Sequence, residues 1–185
     1  MLSPAPTTAT VIHQTQKWLS DVIIQYTLCP FAKREHDRGR IHYEVIETAD
    51  LPAQLEQLMI QCAALDQDIK RETTLLIFPS ALSDFEAYLD MLDIANALLK
   101  AEGYEGIYQL ASFHPDYCFA GPAPDDPSHY TNRSPYPMLH ILREASVEAA
   151  LKTYPNPETI PIRNIELTQQ LGLEFMRALL ADCYD

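Results

Sequence analysis

Apolar residues recur along this chain with two periods, and each period predicts an element. From Thr10, the positions Val11, Trp18, Leu19, Val22, Ile23 and Tyr26 fall on one helical stripe, with Thr7, Thr8 or Thr10 available as the cap. That helix should end near Thr27, because Pro30 lies just ahead and suits the first position of a second, short helix over residues 30–38. Gly39 stops it. Residues 41–47 alternate apolar and polar side chains, the pattern of a strand partly open on one face. A helix from Asp50 or Leu51 to about residue 66 turns Leu51, Leu55, Leu58, Met59 and Cys62 to the core. Residues 73–78 form a continuous apolar run ahead of Pro79, as in a strand buried on both faces. Ser83 caps a long helix carrying Phe85, Tyr88, Leu89, Leu92, Ala95 and Leu99, which Gly103 closes. A third strand follows over residues 107–113.

Beyond a turn-rich loop, helices are predicted at residues 137–145 and 147–153, then a proline-rich link over residues 154–161. A last helix spans residues 165–183, with Leu167, Leu171, Phe175, Leu179 and Leu180 on one stripe. Residues 1–9, with Pro4 and Pro6, read as a disordered lead. Strand and helix alternate three times, which favours crossover connections and parallel pairing. The expected architecture is therefore α/β: a small, mostly parallel sheet of about three strands packed with helices, plus C-terminal helices, in one domain over residues 1–185.

Composition narrows the function. A chain of 185 residues that is 47% hydrophobic can bury one sizeable core, and is too short for two domains to be expected. Its net charge of −13 argues against nucleic acid as a partner, since a phosphate backbone is bound by a basic face. The first residues carry no basic leader, and no apolar run approaches the ~20 residues that cross a bilayer, so a soluble cytoplasmic protein without a membrane partner is expected. Cys29, Cys62, Cys118 and Cys183 include no Cys-x-x-Cys pair, which leaves reduced thiols as the expectation.

Candidate chemistry is concentrated between Ala111 and Arg143. Open α/β sheets bind ligands beyond the carboxyl ends of their strands, and His114 falls there if the third strand is parallel. Asp116 could hold its ring in one tautomer, as a general base requires; alternatively, His114-Pro115-Asp116 turns the chain and a backbone carbonyl satisfies the imidazole. Cys29, at a predicted helix N-terminus with Lys33 and Arg34 one turn on, is a candidate nucleophile with a favoured thiolate. The competing reading is a buried cysteine acting as a small hydrophobe beside Phe31. Cys62 and Cys183 sit on apolar stripes and read as structural. His13, His36, His42 and His129 lack partners and read as surface or loop residues.

Asn132, Arg133 and Ser134 lead into the predicted helix at residues 137–145, and such an entrance seats an anion through free N–H groups and a guanidinium. Tyr136, His140 and Arg143 complete this candidate substrate-binding set. The alternative is a Ser134 cap with Arg133 paired to Asp125 or Asp126. His114 and Cys118 have a spacing that could share a metal, with Cys29 or His140 as a third ligand, but no close-set ligand pair supports it. No cofactor is indicated, and charge and pattern give no handle on oligomeric state.

Three stretches carry a resemblance: Thr27-Leu-Cys-Pro-Phe-Ala, Phe113-His-Pro-Asp-Tyr-Cys-Phe-Ala-Gly and Asn132-Arg-Ser-Pro-Tyr-Pro-Met-Leu-His-Ile-Leu-Arg-Glu. With them the chain resembles the DUF1415 family from about Trp18 to Leu171, a resemblance that implies no activity, cofactor or catalytic residue. Cys-Pro-Phe also superficially resembles a monothiol glutaredoxin site, yet it follows a helix where that pattern has a strand. The residues alone point to a small enzyme acting on an anionic metabolite. Cys29 would be its thiol, His114 its base oriented by Asp116, and Asn132, Arg133 and Arg143 its anion grip. The alternatives are a non-catalytic module binding an anionic ligand or a partner through the same loop, and a His/Cys metal protein.

Overall fold

The computed structural model describes residues 5–185, so the first four residues of the expected lead lie outside the described residues. The first helix starts within that lead: the Thr7 hydroxyl accepts the Thr10 amide, and α1 runs Thr8–Trp18. It passes directly into a π-helical turn, Leu19–Ile24, in which Gln25 N–H bonds Ser20 O and Leu28 N–H bonds Ile23 O. The wider turn is a break in helical register of the kind found at functional sites. Trp18, Leu19, Val22 and Ile23 are all buried along it. The chain reverses at Thr27, in a left-handed conformation (φ 54°), and the short α2 spans Ala32–Asp37, with Gly39 terminating it at φ 64°.

Asp50 accepts the Ala53 amide and caps α3, Leu51–Gln67, which follows β1, Ile41–Val45. β2 is Thr73–Ile77, buried at every position as its apolar run predicts. Asp84, rather than Ser83, caps α4, Phe85–Ala101, by accepting the Ala87 amide; β3 is Tyr108–Phe113.

Two later elements depart from expectation. The predicted helix at residues 137–145 is instead a strand, β4, Met138–Arg143, followed by α5, Glu144–Thr153. Pro135 and Pro137 hold the backbone before it extended, and a short apolar run has no periodicity with which to choose helix over buried strand. The predicted helix at residues 165–183 is two helices, α6 (Ile160–Leu171) and α7 (Leu173–Ala181), broken at Gly172, whose φ of 83° and ψ of 157° suit only glycine.

The sheet order is β1-β2-β4-β3, and four strands replace the expected three. β1 pairs parallel with β2, while β4 lies antiparallel between β2 and β3. Two antiparallel steps bring β3 into the direction of β1 and β2, so the predicted strands do run the same way, but the sheet is mixed. α3 and α4 cover one face through a core that includes Leu58, Leu65, Leu76, Tyr88, Met91 and Ile141. The opposite face packs Leu75, Ile77 and Met138 against Val11, Trp18 and Val22. No described helix is long and apolar enough to cross a membrane.

Candidate functional site

The second layer does not fill the space over the amino-terminal ends of β1 and β2. Ile41, Thr73, Leu75, Ala111, His140 and Leu142 form the floor of a cavity of about 670 Å³. Trp18 at the end of α1, Leu19 and Ile23 of the π-helical turn, the turn at Leu28 and Cys29, and residues of α5 and α6 wall it. The lining is predominantly aliphatic and aromatic. This is the sheet's face, not the edge beyond the carboxyl ends of the strands where a site was expected.

His140 is the polar centre of that floor. Thr73 Oγ1 lies 2.5 Å from Ile141 O and 2.6 Å from His140 Nε2. A hydroxyl has one hydrogen and a carbonyl can only accept, so Thr73 donates to Ile141 O and accepts from Nε2–H. Nδ1 is left as a lone pair with no protein partner. His140 is only partly buried and borders the cavity, and Nδ1 is not among the buried side-chain atoms without a hydrogen-bond partner in the described residues. Burial pushes the imidazole pKa down to about 4, so the ring is neutral at pH 7.

Cys29 shares the cavity but not the expected electrostatics. Phe31, not Cys29, holds the N-cap position of α2, a helix of six residues. Lys33 Nζ is 2.7 Å from Asp37, and Arg34 Nε is 2.5 Å from Glu35, so both nearby charges are paired. Burial raises the thiol's pKa, against a smaller opposite effect from the backbone amides of Phe31 and Ala32. Only Cys118 is an exposed thiol among the four cysteines. Iodoacetamide at pH 7 should therefore modify Cys118 first and Cys29 more slowly than free cysteine, as mapped by peptide mass spectrometry. Preferential labelling of Cys29 would contradict this account.

His114 lies elsewhere. It is fully buried on the α4 side, its ring 5.1 Å from that of Tyr88 and 5.2 Å from that of Phe85. Nε2–H donates to Leu82 O at 2.9 Å, and Nδ1 accepts the Asp116 amide at 3.0 Å. Both nitrogens are engaged, Asp116 contributes its backbone rather than its carboxylate, and burial lowers the ring's pKa. The chain-turning alternative describes this geometry. Cys118 faces a different histidine, with His129 Nε2 3.6 Å from its sulfur. His129, expected at the surface, is fully buried and ties the loop by accepting Phe119 N–H and donating to Ala123 O. Among the described residues, no three of His, Cys, Asp or Glu converge as a metal site.

With β4 a strand, residues 132–134 open no helix, and the anion seat loses its basis. Asn132 lines the cavity, but its Nδ2 donates to Ser112 O at 3.0 Å. Arg133 Nε donates to Tyr117 O at 3.1 Å, with the guanidinium over the Tyr130 ring. Buried Ser134 donates to Tyr136 O, and the Tyr136 hydroxyl bonds Gln14. Arg143 borders the cavity through its strand position, yet its guanidinium lies on the α3 side and donates to Leu65 O and Arg71 O. Of the residues picked out in the sequence, Cys29, Asn132, His140 and Arg143 thus border one cavity, whereas His114, Asp116, Arg133, Ser134 and Tyr136 do not. Thr73 and Trp18 were missed as site residues; the only signal for Thr73 was a pair of hydroxyls, Thr73 and Thr74, opening a strand that is otherwise apolar.

The family model described as Protein of unknown function (DUF1415) matches residues 10–178 of the 185, and the chain belongs to that family. The match takes in every cavity residue named above. Neither the curated proteins nor the solved structures return a match.

Proposed function

We propose that the protein binds a largely apolar organic molecule in the cavity over β2 and β4, with His140 as its polar contact. The observation that carries this reading is a volume of about 670 Å³ with a mostly apolar lining. Small-molecule sites have that size and that composition, a few placed polar groups on apolar walls, whereas well-packed interiors leave few voids larger than water.

A neutral fluorescent probe, N-phenyl-1-naphthylamine, tests it. The emission rise should saturate at one equivalent, and Ala111→Leu, which pushes an isobutyl group through the floor, should weaken binding at least about tenfold. The variant's unfolding midpoint should not fall, because the added group enters open space. A probe that fails to bind, or an Ala111→Leu variant that binds unchanged, contradicts the proposal.

A second reading has its own support: Cys29 and His140 border the same cavity. An enzyme would then use Cys29 as nucleophile and His140 as base, which replaces the Cys29 and His114 pairing expected from sequence. It requires Cys29 to be alkylated faster in the wild type than in His140→Phe; equal rates remove it. An anionic substrate has less support than an apolar one, since Asn132, Arg133 and Arg143 are committed to main-chain carbonyls.

A further inference from the structure

The polar end of the cavity has a defined hydrogen-bonding sense. Thr73 fixes the His140 proton on Nε2, so the open nitrogen can accept a hydrogen bond and cannot give one. We propose that the ligand of this cavity is a neutral aromatic molecule bearing a hydroxyl or N–H group, and that it donates that hydrogen to His140 Nδ1. This rests on the cavity reading above and adds the ligand's class to it.

The alternatives fail on charge. A carboxylate or phosphate would set its oxygens against the Nδ1 lone pair, and the arginines bordering the cavity offer it no free charge, Arg34 being paired with Glu35 at 2.5 Å and Arg143 committed to main-chain carbonyls. A cation fares no better. Glu35 is paired with Arg34 at 2.5 Å and with Arg40 at 3.2 Å, and Glu72 with Arg40 at 2.7 Å, so no free negative charge repays the dehydration of an ammonium group. A neutral donor needs no counter-charge. The walls beside His140 supply the aromatic preference: the Phe113 ring is 6.4 Å from the His140 ring and meets Trp18 edge-on at 5.2 Å. A planar ring can pack against such faces while its substituent reaches Nδ1.

Equilibrium dialysis at pH 7 with 2-naphthol, 2-methoxynaphthalene and 2-naphthoate separates the possibilities. The three share one ring system; the first is a neutral donor, since phenols ionise near pH ~10, the second is its donor-free ether and the third an anion. The expected order is naphthol about tenfold tighter than the ether, the net worth of one hydrogen bond in a partly dry site, with naphthoate weakest. In His140→Phe, naphthol should fall to the level of the ether. Retained ether binding there shows that the variant is folded with its cavity intact. Equal binding of naphthol and ether to the wild type overturns the donor assignment but leaves the cavity reading standing, as does a preference for naphthol that survives in His140→Phe. Tightest binding by naphthoate overturns it in favour of an anionic ligand. If none of the three binds, both proposals fall together.

Discussion

Replacing Tyr88 with phenylalanine should lower the free energy of unfolding by about 2–4 kcal/mol, the cost of orphaning two buried backbone groups. The tyrosine hydroxyl is fully buried; it donates to Met138 O at 2.7 Å and accepts Phe113 N–H at 3.0 Å. Those two residues are the last pair of the ladder between β3 and β4. Phe78 N–H bonds Pro137 O at the neighbouring position, so this end of the sheet has no spare backbone donor to replace the hydroxyl. Phenylalanine keeps the ring and its packing but leaves a carbonyl and an amide without partners. Urea unfolding at pH 7 should show the midpoint shift with an unchanged denaturant slope. A loss under ~1 kcal/mol would mean that water reaches both groups, and that the sheet edge is more open than the buried ring implies.

The same end of the sheet explains what could be read from the sequence and what could not. Local signals were sufficient where they act locally. Asp50 caps α3, Gly39 ends α2, and the first three strands fall where alternation and apolar runs put them. β4 was illegible because nothing local makes it a strand. It is held by pairing on both sides, with β2 and β3, and such tertiary pairing overrides an ambiguous apolar run. Gly172 was legible as a residue but not as a break, since an isolated glycine in a helical pattern is commonly tolerated.

That one misreading of β4 spread to the site. Three residues apart on a helix, His140 and Arg143 would share a face; three apart on a strand, they take opposite faces. The structure has His140 on the cavity floor and the Arg143 guanidinium beneath the sheet, on the α3 side. Parity decides His114 as well. Phe113 lines the cavity, and the next residue turns toward α4, where it packs on Tyr88. Cys29 and His140 could each be picked out as chemically capable from sequence. Their common cavity could not, because it needs the first helix, β2 and β4 to be placed around the same unfilled space.

His140 should also make stability depend on pH, in a direction its surroundings fix. In the unfolded chain a histidine titrates near ~6.5, whereas burial in the cavity floor pushes this one down to about 4. Between those values the unfolded state binds a proton that the folded state refuses. The histidine's contribution is therefore complete above pH ~6.5 and is lost as pH falls toward 4. A shift of this size corresponds to about 3 kcal/mol, and access of water to Nδ1 through the cavity brings it nearer ~2 kcal/mol. His114, also lowered by burial, acts in the same direction. The wild type alone cannot separate these terms, but subtraction can. His140→Phe retains every other group, so urea unfolding from pH 7.5 to 4.5 should show the variant losing about 2 kcal/mol less than the wild type. Parallel curves for the two proteins would mean that the imidazole takes up its proton without resistance. The Thr73 contact would then not hold Nε2–H as a donor to a neutral ring, and the cavity would present a charged donor in place of a lone pair.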